Sequence, residues 1–186
     1  MTEKLKRAKN SNGTLIGSAS RLQPDLRQKV PSANVKAEAF LNVLRTADAL
    51  QRQLRLALKP YKLTETQYNA LRILRGAINR NSASTAANSL PCSEIGERLI
   101  SHDPDITRLL DRLERLSLIV RSRDEKDRRI VLTRITSEGL AQLKKLDAVV
   151  EACVEKMLGS MSASNLGQMI RLLEKARSAA TREGEC

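Results

Sequence analysis

Aromatic side chains are almost missing: there is no tryptophan, with two tyrosines and one phenylalanine in 186 residues. The core must therefore come from Leu, Ile, Val, Ala and Met. That composition suits packed helices better than a β-sandwich, whose strands favour β-branched and aromatic residues. Histidine occurs once, as His102, which removes most His-based metal sites and leaves a single imidazole for general-base chemistry. The three cysteines, Cys92, Cys153 and Cys186, have no CxxC spacing, and their odd number speaks against a disulfide framework. A reducing, cytoplasmic setting is the simpler expectation. No run of roughly 18 apolar residues is present, so no membrane-spanning helix is expected, and the N-terminus lacks the apolar segment of a secretory signal. With no Gly-rich phosphate loop, catalytic constellation or metal-ligand spacing, we expect no enzyme, no cofactor and no metal site.

Positive charge, by contrast, is abundant. Thirty-three Lys and Arg against 21 Asp and Glu leave a formal charge of +12. Phosphate neutralisation supplies most non-specific nucleic-acid affinity, so a polyanionic partner is favoured. Charge alone does not separate DNA from RNA or from an anionic membrane. A chain of this length suggests one domain with appendages.

Residues 1–33 are basic, carry Pro24 and Pro31, and sustain no periodicity, which reads as a disordered basic arm. From Asn34, Phe40, Leu44, Ala47, Leu50, Leu54 and Leu58 recur at helical spacing until Lys59-Pro60 ends the element. Thr64-Glu65-Thr66-Gln67 matches a capping box and opens a helix that buries Tyr68, Leu71 and Leu74. The polar stretch from Asn79 to Leu90 reads as a loop. Pro91, Ser93 and Glu94 introduce a short helix in which Gly96 would allow a close helix–helix approach. Asp103 and Pro104 then suit the cap and first position of another, with a buried stripe of Ile106, Leu109, Leu110, Leu113 and Leu116. The turn between these two helices, around Ser101-His102, completes the layout of a helix-turn-helix. Ile119–Arg123 and Arg129–Ile135 read as two strands joined by DEKDRR, after which the helical period returns from Leu140 to Met161 and from Leu166 to Ala176. Residues 181–186 read as a frayed tail.

The fold class expected is mainly α with a small β-hairpin wing. On the helix after the turn, the stripe leaves Asp105, Thr107, Arg108, Asp111, Arg112 and Arg115 facing outward. In helix-turn-helix proteins the N-terminal part of the second helix meets base edges, so Thr107 and Arg108 are the first candidates for direct readout. Arg bonds guanine O6 and N7 bidentately, and Thr can donate, accept or touch a thymine methyl. Asp105 has two readings, stabilising the helix N-terminus or accepting from a cytosine amino group. For Arg112 and Arg115, phosphate contact stands beside the plainer reading of ion pairs of Asp111 with Arg108 and Arg115 on a solvated face. At the hairpin, Arg129 suits a narrow minor groove, with Asp127 holding its guanidinium through a charge-assisted bond. Arg121, Arg123, Lys126 and Arg128 are candidate backbone contacts, and His102 a turn residue or phosphate contact. Cys92, near a predicted helix N-terminus, has a redox reading beside that of a small half-buried thiol.

At these residues the chain resembles the MarR family of winged-helix regulators. The likeness runs from about Asn34 to Ala180 and includes LTETQYNALRIL, SEIGERLI, DITRLLDRLERLSLIVRSRDEKDRR and IVLTRIT followed by a long helix. It implies a homodimer with terminal helices 34–60 and 137–180 at the interface and winged helix-turn-helix modules, residues 61–136, reading a palindrome in double-stranded DNA. It also implies control by a small-molecule effector or by oxidation. Pro91-Cys92 stands where the family often has Ser or Thr, and the basic arm is an addition. Independently, the apolar stripes of the terminal helices exceed what one small winged domain can cover, so an interlocked dimer is economical, with intramolecular bundling the alternative. The functional expectation is a dimeric, sequence-specific transcriptional regulator, a repressor rather than an activator. The competing class is a non-specific architectural nucleic-acid binder.

Overall fold

Residues 34–78, 88–100 and 105–182 are described by the computed structural model of the protein. The basic arm, most of the Ser/Asn-rich loop, Ser101 to Pro104 with His102, and the last four residues lie outside the described residues. The chain divides into two compact units, residues 1–48 and 49–186.

Among the described residues, six helices and three short strands follow in order. They are α1 (Val35–Leu58), a 3-10 turn (Lys59–Tyr61), α2 (Glu65–Gly76), β1 (Leu90–Pro91), α3 (Cys92–Arg98), α4 (Ile106–Arg115), β2 (Ile119–Arg123), β3 (Val131–Ile135), α5 (Ser137–Leu158) and α6 (Ala163–Arg182). No described helix is long and apolar enough to cross a membrane.

Local chemistry sets the boundaries. Pro60 converts the end of α1 to a 3-10 turn, closed by Lys62 in the left-handed region. The capping box at α2 forms as the sequence predicts: Gln67 N donates to Thr64 Oγ1 at 3.2 Å and Thr64 N to Gln67 Oε1 at 3.0 Å. The cap of α4 differs from expectation. It is Asp105, whose Oδ1 accepts from Arg108 N at 3.0 Å, in place of Asp103 and Pro104. Thr136 caps α5 by accepting from Gly139 N at 2.9 Å.

The sheet is antiparallel in the order β1-β3-β2, with Arg121 opposite Thr133 and Ile119 opposite Ile135. Strand β1 was not expected from sequence. Two residues carry no period, and Pro91, which has no N–H to donate, is tolerated because the strand is an edge.

The core of the second unit is aliphatic. Leu58, Leu71, Leu74, Ile95, Leu110, Leu113, Ile119, Leu143 and Leu146 are all fully buried, each contributing about 1.5–3 kcal/mol. They tie α2, α4, α5 and the sheet together. Two expectations fail here. Leu116 is 44% exposed because α4 ends at Arg115 and Ser117, at φ 59°, turns the chain so that Leu118 takes the core position. Gly96 is not at a tight approach, since a Cβ there would meet Ile106 at 3.9 Å, ordinary contact. In the first unit, Phe40 and Leu44 of α1 are exposed. In α6 no described residue is buried, and Ile170, Leu172 and Leu173 are open to solvent.

Candidate nucleic-acid interface

Helix α4 buries Leu109, Leu110 and Leu113, and this fixes its opposite face. Thr107, Arg108, Arg112 and Arg115 are exposed there. At about 100° per residue, the three arginines fall on one side of the helix. Together with Thr64 and Gln67 of α2 they line a groove of about 720 Å³. The expected pairing of Asp111 with Arg108 and Arg115 does not occur. Asp111 is taken by Arg121, and among the described residues the three guanidiniums of α4 enter no ion pair. Asp105, as the cap, accepts from the Arg108 N–H through Oδ1, in line with the first of its two readings.

Arg121 is corrected more sharply. Its Nη2 donates to Asp111 Oδ1 at 2.5 Å and to Glu114 Oε2 at 2.6 Å, and its Nε to the same Oε2 at 2.9 Å. Its backbone N–H adds a bond to Glu114 Oε1 at 3.1 Å. Only 22% of the side chain is exposed. The side chain is thus committed to the junction of α4 and β2, with two of its three guanidinium nitrogens engaged. Hydrogen bonds from Arg121 hold the Glu114 carboxyl below its ordinary range, and the same bonds hold the Arg121 guanidinium above its own.

The wing tip is built by two aspartates. Asp124 Oδ1 accepts from the backbone N–H groups of Lys126 at 2.8 Å and Asp127 at 2.9 Å. These bonds, that from Asp127 first, hold its carboxyl below the ordinary value. Asp127 Oδ1 accepts from Arg129 N at 2.9 Å. The expected grip of Asp127 on the Arg129 guanidinium is therefore replaced by a grip on the Arg129 backbone. Short Asx-type turns of this kind shape a loop because a carboxylate mimics a backbone acceptor. Arg123 Nη1 donates to Arg128 O at 2.7 Å and closes the base of the tip. Lys126, Arg128 and Arg129 remain exposed. The hairpin thus presents basic side chains from an ordered backbone.

The sequence profile of the MarR family matches residues 63–131, from the start of α2 into β3. The transcriptional repressor MdtR of Bacillus subtilis is 32% identical over 92 residues, 50% of this chain and 59% of that protein. A MarR transcription factor from Planctomyces limnophilus has a solved structure that is 33% identical, covers 77% of this chain and 98% of its own, and superposes with a TM-score of 0.57. The chain belongs to the MarR family. Sco5413, a MarR family transcriptional regulator from Streptomyces coelicolor, is 28% identical, with 80% and 98% of the chains covered and a TM-score of 0.65. The chain spans little more than half the length of the first curated relatives it matches.

Two further places in this MarR-family chain carry polar chemistry. Cys92 is half-buried at the start of α3, its Sγ 3.4 Å from Thr133 Oγ1 and 3.5 Å from Val131 O, so the thiol packs on β3. No group of three or more metal-ligating side chains gathers among the described residues. Between α2 and α5 lies an open groove of about 310 Å³ lined by Tyr68, Arg72, Arg75, Asp147, Val150 and Val154 among others. Tyr68 OH donates to Asp147 Oδ1 at 3.2 Å, Arg75 pairs with the same carboxylate, and the Arg72 guanidinium lies 5.8 Å over the Tyr68 ring. Burial, then the neighbouring Asp147, raises the Tyr68 phenol, whereas bonds from Arg75 lower the Asp147 carboxyl. Sequence reasoning missed Glu114, Asp124 and Asp147. Only Asp124, a carboxylate opening a charged turn, carried a local signal.

Proposed function

We propose that this protein is a homodimeric transcriptional regulator that reads a palindromic operator in double-stranded DNA. We assign it as a repressor relieved by a small ligand. The observation that carries the reading is the outer face of α4, where Arg108, Arg112 and Arg115 stand together with no carboxylate partner among the described residues. A solvated structural face would neutralise such a row, and a DNA-reading face keeps it for phosphates and base edges. Thr107 and Arg108, in the first turn, meet base edges. Arg112 and Arg115 meet phosphates, and Arg128, Arg129 and Lys126 serve the flanking groove.

Dimerisation is supported by α6, a helix of 20 residues. An isolated helix is marginal in water without a packed apolar face. A second copy covering Ile170, Leu172 and Leu173 would stabilise it, and a two-fold dimer would set its reading helices about 34–36 Å apart, one DNA turn, or a multiple of it. Of the two modes of control, the groove beside Tyr68 and Arg72 favours a small ligand over oxidation. Such a ligand acts only by binding one spacing of the heads more tightly than another.

The test is selection from random-sequence DNA followed by footprinting at physiological salt. A palindromic site whose affinity falls in Arg108→Ala and Arg129→Ala supports the reading. Binding that depends steeply on salt but not on sequence would point instead to an architectural protein.

A further inference from the structure

We propose that Arg121 is a positioning residue for DNA recognition. By bridging Asp111 and Glu114 it locks the reading helix to the wing and neutralises Asp111 on the flank of the recognition surface, without touching DNA itself. The proposal rests on the DNA-reading function put forward above.

Geometry comes first. Asp111 and Glu114 lie on α4, Arg121 on β2, and the chain between them turns through Ser117 at φ 59°. Four hydrogen bonds cross from one residue of β2 to these two carboxylates, one of them from its backbone N–H. A planar guanidinium makes such a bridge rigid, since its donors are held in a fixed fork. The strand is thus pinned where it leaves the helix. Any tilt at Arg121 would be magnified at Arg128 and Arg129, at the far end of the hairpin. A head that must place α4 and the wing on one duplex together gains from such pre-organisation.

Charge gives the second reason. On a helical wheel Asp111 stands about 60° from Arg108 and about 40° from Arg115, on the flank of the face assigned to DNA. An unpaired carboxylate there would repel phosphate across a distance shorter than the Debye length of about 8 Å. Arg121 neutralises it from behind while its own Nε and Nη2 are already occupied. The three arginines of α4 are left to act undiluted.

The experiment titrates the duplex selected by the wild-type protein across a salt series. The proteins compared are wild type, Arg121→Gln, Asp111→Asn/Glu114→Gln and the triple variant. Arg121→Gln is expected to weaken binding roughly tenfold with no loss of salt slope, because no phosphate contact disappears. The triple variant should recover part of that loss, since the exposed carboxylates are gone. A slope lower by about 1 in Arg121→Gln, with no recovery in the triple variant, would make Arg121 a phosphate contact and overturn the proposal. Hydrogen exchange on the DNA-free proteins decides the lock separately. Wing amides should exchange faster in both Arg121→Gln and the double variant, and unchanged exchange sinks the lock. If the wild type selects no DNA while the wing still loosens, the DNA-reading function fails and the lock stands.

Discussion

Replacing Gly139 by alanine places a methyl group where the chain has no room for one. A Cβ built there would lie 2.1 Å from Leu118 O and 2.7 Å from Ile135 Cγ1. The first neighbour is backbone and already engaged, accepting from Thr136 N at 3.0 Å. Thr136 Oγ1 in turn donates to Ser117 O at 2.7 Å. Relief requires the start of α5 to move away from the junction of α4 and β2. Overpacking of this kind costs about 1–3 kcal/mol, and each hydrogen bond broken in the shift adds about 1 kcal/mol. The gain in helix propensity on going from Gly to Ala offsets about 1 kcal/mol. The net is a loss of about 1–4 kcal/mol, which for a chain of this size lowers Tm by roughly 2–16 °C. Thermal and urea unfolding followed by circular dichroism, at one fixed protein concentration, measures it. Gly96→Ala is the control. Among the described residues its methyl would meet only Ile106, at 3.9 Å, so that variant should be neutral or gain up to about 1 kcal/mol. If Gly139→Ala unfolds within about 0.5 kcal/mol of wild type, an ordinary surface effect, the account of this junction is refuted.

Asp147→Asn should destabilise the protein at neutral pH. The folded carboxyl titrates below its ordinary 3.8, so its contribution is complete above that value and is lost as pH falls through the depressed one. Wild-type and variant denaturation curves should therefore converge at strongly acid pH, and a constant gap down to pH 2 would count against the Arg75–Asp147 pair as its source. Asp127→Ala removes the acceptor of Arg129 N. It should loosen the wing tip, costing about 1 kcal/mol locally, seen as faster exchange of the Arg129 amide with little change in Tm. Leu173→Asp on α6 should convert a dimer to monomers in sedimentation equilibrium. Persistence of the dimer would move the interface elsewhere.

Much of the fold was legible because apolar spacing is a local signal. The stripe Leu109, Leu110 and Leu113 is buried as the helical period requires, and the capping box at Thr64 is a four-residue motif whose partners are its own neighbours. Leu116 misled because the period continues past the point where Ser117 adopts a left-handed backbone and ends the helix. Strand β1 was invisible, since two residues have no alternation to read and only pairing with β3 makes them a strand. At the candidate site the exposed residues of α4 followed from the buried ones. The roles of the charges did not. Arg121, Asp111 and Arg129 look alike in sequence as wing and helix charges, and a charge has no periodic partner that betrays whether it faces a carboxylate or solvent.

What the sequence determined by itself was the helices and the hairpin, the sign of the charge, and which side of α2 and α4 faces the core. Those properties depend on spacing and composition, which act over a few residues. Tertiary structure alone decided which arginines are spent on the framework and which stay available. A guanidinium is satisfied by whatever carboxylate the fold brings within about 3 Å, and Glu114 reaches Arg121 only because the chain reverses at Ser117 between them.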